Sequence, residues 1–195
     1  MEEKLRQKER NIIKVVLFGP ESSGKTTLSE QLARHYNSVW IPEYAREYLQ
    51  KKWNIERKIC EYKDLVPIAI GQIQLENKAA KKADRILICD TDCLETMVYS
   101  EEFYDGKVDP VLEKAAMENT YDLYLLTDID TPWTADDLRD RPHQREEMFK
   151  AFKAALKKYN KPYILVSGDR KTRLKTAVDA IDKILESKPN LQRYP

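Results

Sequence analysis

The chain has 195 residues, 42% of them hydrophobic and 34% charged, which suits one domain with its own core and excludes a disordered chain. The 34 Lys and Arg against 33 Asp and Glu leave a formal charge of +1, so nothing general draws the chain to nucleic acid or to an anionic membrane. Three cysteines are odd in number and too few for a disulfide framework, and neither histidine lies near a cysteine pair, which argues against structural zinc.

In chain order, residues 1–10 (MEEKLRQKER) are charged throughout and lack the apolar segment of a secretory signal, so they read as a solvated extension and the protein as cytoplasmic. Apolar runs at 12–18, 38–41, 85–89, 122–126 and 163–166 are expected strands, none long enough to span a bilayer. They lack strict alternation, the mark of strands buried on both faces. Helices are expected at 24–36, 44–52, 65–83 (Asp64 as N-cap), 93–100, 111–118, 145–159 and 171–187. Strands alternating with helices predict one α/β domain over 11–187, with a five-stranded parallel sheet in the order 2-3-1-4-5 and a tail at 188–195.

Between the first strand and its helix, GPESSGKT at 19–26 matches G-x-x-x-x-G-K-[ST] in full, the signature of the P-loop NTPase fold. Two of the five glycines in the chain, Gly19 and Gly24, stand at its obligatory positions. Backbone N–H groups of Glu21, Ser22, Ser23 and the helix start through Thr27 are expected to ring the phosphates of ATP. Lys25 would reach the β- and γ-phosphates and the Thr26 hydroxyl would hold Mg²⁺.

The third strand ends at Asp90. An aspartate there holds Mg²⁺ in phosphate-loop enzymes, with helix capping as the alternative. Asp92 stands equally between substrate contact and an N-cap whose box Glu95 would complete. After the second strand, Glu43 is placed to accept a proton or hold sugar hydroxyls, and Arg46 to meet a phosphate; a solvated Glu43–Arg46 ion pair explains the spacing equally well. Trp40, Tyr44 and Tyr48 cluster nearby, as core packing or as a stacking surface for a planar ring. The polar segment 131–145 carries Arg139, Arg141 and Arg145 within seven positions, and reads as a lid over the triphosphate rather than a solvated loop.

Several segments together resemble the ribosylnicotinamide kinase domain of NadR-type proteins, within the nucleoside-kinase-like phosphate-loop group. They are GPESSGKTTL at 19–28, PEYAREY at 42–48, YKDLVPIAIGQ at 62–72, ICDTD at 88–92, YDLYLLTDIDTPWTADDLRD at 121–140 and KKYNKPYILV at 157–166. The resemblance implies an ATP- and Mg²⁺-dependent kinase that phosphorylates the 5′-hydroxyl of nicotinamide riboside. It implies Lys25 and Thr26 at the ATP, Asp90 at the metal, and Glu43, Tyr44, Arg46 and Asp92 near a nucleoside-like substrate. Asp137 and Arg139 match its W-x-x-D-D-L-R lid segment. Adenylyl transfer and transcriptional control, which belong to other domains of such proteins, are not implied. Pro42 stands where some relatives carry tryptophan. A kinase for another nucleoside or a vitamin alcohol is the rival enzyme, and a regulatory NTPase acting on a partner protein is the rival of another class. The chain lacks an N-K-x-D-like guanine signature, and it leaves a homo-oligomer open.

Overall fold

The structure, a computed structural model, describes residues 2–138, 142–188 and 191. Strands β1 (Ile13–Phe18), β2 (Val39–Ile41), β3 (Ile86–Asp90), β4 (Leu123–Thr127) and β5 (Tyr163–Val166) form one parallel sheet in the order β2-β3-β1-β4-β5, as expected. β1, β3 and β4 are buried along their whole length. The helices are α1 (Lys25–His35), α2 (Tyr44–Glu56), α3 (Leu65–Ala79), α4 (Cys93–Phe103), α5 (Pro110–Glu118), α6 (Arg145–Lys158) and α7 (Arg170–Ser187).

The strand period divides the core in two. Val16, Phe18, Leu87, Cys89, Tyr124 and Leu126 face the layer that contains α3, α4, α5 and α6. Val15, Leu17, Ile86, Ile88, Leu123 and Leu125 face α1 and α7. Both faces are therefore covered, and the carboxyl ends of the strands are where loops can build a site. Lys14, the one charge in β1, is buried and paired with Glu76 of α3 at 3.0 Å.

Three expectations need correction. Asp64 stands at the N-cap position of α3 but its side chain does not cap the helix: it closes a 3-10 turn, accepts from the Glu61 backbone N–H at 2.8 Å, and pairs with buried Lys52 at 2.5 Å. The start of the chain is not wholly solvated, since Glu2–Leu5 forms a 3-10 turn whose Leu5, 2% exposed, joins the core. At the other end Leu191 is buried against the α1 and α7 face. Among the described residues no helix is long and apolar enough to cross a membrane.

Candidate phosphate-binding and acceptor site

β1 delivers the chain to the phosphate loop. Gly19 has φ +142, and a Cβ there would stand 2.7 Å from Thr127 Oγ1; Gly24, with φ +87, leads into α1. Only glycine meets both demands without strain. The Ser23 hydroxyl braces the loop from within, 2.6 Å from the Pro20 carbonyl and 2.6 Å from Thr127 Oγ1. α1 has no side-chain cap and no acidic residue in its first turn. Its first amides are thus left for an outside acceptor, and residues 21–27 line a cavity of ≈ 840 Å³.

Lys25 folds back on this loop, donating to the Gly19 carbonyl at 2.6 Å and the Pro20 carbonyl at 3.2 Å. It also pairs with Glu95 at 3.1 Å. Burial works to lower the lysine pKa, but the carboxylates of Glu95, Glu43 and Asp90 outweigh it and raise the value. Lys25 therefore stays a cation with no phosphate present. Glu95 was expected to complete a capping box with Asp92; its carboxylate instead serves Lys25 and accepts from Gly19 N–H at 3.3 Å. Burial pushes Glu95 up to about 8, against the pull of Lys25.

Asp92 takes the capping alternative. One oxygen accepts from Glu95 N–H at 2.9 Å and the other from the Tyr124 hydroxyl at 2.7 Å, and the residue is 2% exposed. Both oxygens are spent inside the fold, which corrects its assignment to a substrate. Asp90 is different. One oxygen accepts from the Thr26 hydroxyl at 2.6 Å, and the other is buried with no partner. Burial pushes Asp90 up to about 6, although Lys25 draws it down. An orphaned carboxylate oxygen beside a hydroxyl is a hard-oxygen pair that suits Mg²⁺.

Glu43 is the N-cap of α2, yet its carboxylate caps nothing. It lines the large cavity and also a second, largely apolar one of ≈ 120 Å³. Arg46 does not pair with it; the guanidinium pairs with Asp136 at 2.9 Å and fastens α2 to the segment 131–145. Tyr44 lines neither cavity, because its ring lies against Gly71 of α3. Tyr48 donates to Asp64, and Trp40 packs with the α1 and α7 core. The aromatic rings at the second cavity are Tyr99, Phe103 and Tyr104. The i,i+4 spacing of Tyr99 and Phe103 was the available signal.

In the segment expected to form a lid, Arg139 and Arg141 lie outside the described residues. Arg145 does not line the phosphate-loop cavity. It donates to the Thr131 carbonyl at 3.1 Å and the Ser22 carbonyl at 3.3 Å, with its guanidinium 5.7 Å from the centre of the Trp133 ring. It anchors the stem of the segment. Asp137 is exposed, 3.5 Å from Gln50 Nε2, and lines neither cavity. One further cation escaped the sequence reading: Arg173 of α7, 4% exposed, donates to the Ser23 carbonyl at 2.7 Å.

Comparison with known proteins places these features in context. The family described as an AAA domain (AAA_28) matches residues 14–173. The trifunctional NAD biosynthesis/regulator protein NadR of Salmonella typhimurium is 34% identical over 125 residues, which are 64% of this chain and 30% of that protein. The chain thus spans under a third of that relative. A crystal structure of NadR protein in complex with NR superposes with a TM-score of 0.76 at 26% identity, over 88% of this chain and 51% of that one. Deoxyadenosine kinase from M. mycoides, 16% identical, shares the fold with a TM-score of 0.63, over 88% of this chain and 100% of that one.

Proposed function

Since the chain belongs to the AAA_28 family of AAA domains, we propose that it is an ATP-dependent kinase for a small nucleoside-like alcohol, with the 5′-hydroxyl of nicotinamide riboside as acceptor and nicotinamide mononucleotide as product. The likeness to NadR, and to a NadR structure that holds NR, supports this choice of acceptor. The observation that carries the kinase reading is the pair of cavities. The larger surrounds the phosphate loop, the smaller is walled by aromatic rings, and the two share Glu21, Glu43, Leu49, Tyr99 and Leu138. A nucleotide switch has no need of an acceptor cavity opening onto its phosphates.

In this reading Lys25 leaves Glu95 for the β- and γ-phosphates, and the free amides at the start of α1 grip the same oxygens. Thr26 and Asp90 would hold Mg²⁺, which would offset negative charge on the phosphates. Glu43, between the cavities, orients the acceptor hydroxyl. The hydroxyl oxygen of the acceptor bonds to the γ-phosphorus, the bond from that phosphorus to the β–γ bridging oxygen breaks, ADP leaves, and the hydroxyl proton passes to Glu43. Such transition states are loose, so position and charge matter more than the strength of the base. The use of ATP as donor supports a cytoplasmic location for the reaction.

The test is phosphorus NMR of the protein with Mg²⁺-ATP and an acceptor panel of nicotinamide riboside, purine and pyrimidine nucleosides, and thiamine. A new phosphomonoester signal with nicotinamide riboside is expected. Turnover of another acceptor alone refutes the riboside and keeps the kinase. Free phosphate released equally with no acceptor present refutes the kinase and favours a regulatory NTPase.

A further inference from the structure

Arg173 lies in the first turn of α7, far in sequence from the phosphate loop, yet its guanidinium reaches three separate segments at the carboxyl edge of the sheet. Nη1 donates to the Ser23 carbonyl of the phosphate loop at 2.7 Å. Nε donates to the Gly168 carbonyl, in the turn after β5, at 2.9 Å. Nη2 donates to the Asp128 carbonyl after β4 at 3.0 Å and pairs with the Asp130 carboxylate. Asp130 in turn accepts from Gly168 N–H at 2.5 Å. Asp130, Gly168 and Arg173 all line the phosphate-loop cavity.

The planar peptide makes this contact informative. In a trans peptide the C=O and the following N–H point in opposite directions. A donor that holds the Ser23 carbonyl on the α7 side therefore turns Gly24 N–H away from α7. Gly24, with φ +87, is held by no side chain of its own, so its peptide orientation has to be set from outside. The forked guanidinium can meet three carbonyls and a carboxylate at once, which an ammonium cannot do.

We propose that Arg173 is a positioning residue for the phosphate donor: it fixes the Ser23–Gly24 peptide so that its N–H is aimed at the phosphates, and it locks the loops after β4 and β5 to that same peptide. This rests on the phosphate-donor reading above. The residue acts through the loop backbone, so its effect falls on the phosphates rather than on the acceptor.

The experiment compares the whole protein with its Arg173→Lys and Arg173→Met variants. Dissociation constants for ATP and for inorganic tripolyphosphate are measured by calorimetry, the KM for nicotinamide riboside by turnover, and Tm by scanning. In Arg173→Lys, ATP and tripolyphosphate binding should weaken about tenfold and by the same factor, with acceptor KM within twofold of wild type. Arg173→Met should lose more. Asp130→Asn, which leaves the arginine in place but frees one of its ties, should weaken both ligands by about threefold and keeps the test available if Arg173→Met does not fold. Unchanged ATP affinity in folded Arg173→Lys overturns the proposal. So does a loss shared equally by donor and acceptor that tracks the fall in Tm, which is the behaviour of a structural pin. Wild-type protein that binds neither ATP nor tripolyphosphate refutes the donor site itself.

Discussion

Replacing Gly71 by alanine sets two effects of known size against each other. Within a helix, Gly→Ala should stabilise by about 1 kcal/mol through propensity alone. At this position, however, a Cβ would stand 2.0, 2.2 and 2.5 Å from three ring atoms of Tyr44. Those separations are far below contact distance, so either the Tyr44 ring must swing out or α2 must back away from α3. Overpacking of this kind costs about 1–3 kcal/mol. The steric term wins, and Gly71→Ala should lose a net of about 1 kcal/mol, or about 2–4 °C in Tm. Activity should fall further than stability. The neighbouring Gln72 accepts from Tyr44 N–H at 2.7 Å and its amide lies 3.4 Å from the Pro42 carbonyl, so the α2–α3 contact holds both sides of Glu43. Urea denaturation and steady-state turnover of the single variant, and of the same change in a Tyr44→Ala background, supply the check. In that background the clash is gone and alanine should stabilise by about 1 kcal/mol. A single variant that is more stable than wild type would refute the reasoning.

Three other outcomes are expected. Lys25→Ala should lower turnover by at least about 10²-fold, as loss of a preorganised charge at a transferring group does; near-normal turnover removes the mechanism. Asp90→Asn should abolish the Mg²⁺-dependent part of ATP stabilisation in a thermal-shift assay, and an unchanged metal response would mean that Asp90 does not serve the metal. Lys52→Met should cost about 3 kcal/mol at pH 7, because it strands the buried Asp64 carboxylate without its cation. Hydrogen bonds from Lys52 and then Lys63 hold Glu61 down to about 2, against an ordinary 4.5. Glu61 therefore contributes stability above pH 4.5 that is lost as the pH falls toward 2. The urea midpoint of wild type should fall more steeply through that window than that of Lys52→Met, and parallel acid limbs would contradict the assignment.

The readable parts of this protein are those whose causes are local. Gly19 and Gly24 mark positive-φ positions, and each demand is met within the residue itself. β1, β3 and β4 read as unbroken apolar runs because covering helices leave them no polar face. The loop and the sheet order followed from such signals. Tyr44 was misread because its ring packs on Gly71; the other misread residues that matter to the site have a different cause, which is that a distant charge outranked a local rule. The Asp92-x-x-Glu95 spacing promises a reciprocal capping box. Glu95 abandons it because a buried lysine at 3.1 Å gains more from a carboxylate than the neutral Asp92 amide would. Asp64 precedes a helix in the way an N-cap does, yet it goes to Lys52. Arg173 stands in RKTRLK, where it reads as one more solvated cation, and α7 turns it inward. Among the described residues Lys14, Lys25, Lys52 and Arg173 are the buried cations, and each is paired with a carboxylate at least 12 positions away along the chain. With 33 acidic residues to choose from, spacing cannot name the partner. Burial selects it, because a cation taken from water has to be met by whichever carboxylate the packing carries with it. Two of those four cations, Lys25 and Arg173, lie against the phosphate loop. The part of the site least visible in the sequence is therefore the charge network that holds a fully legible motif in its working shape.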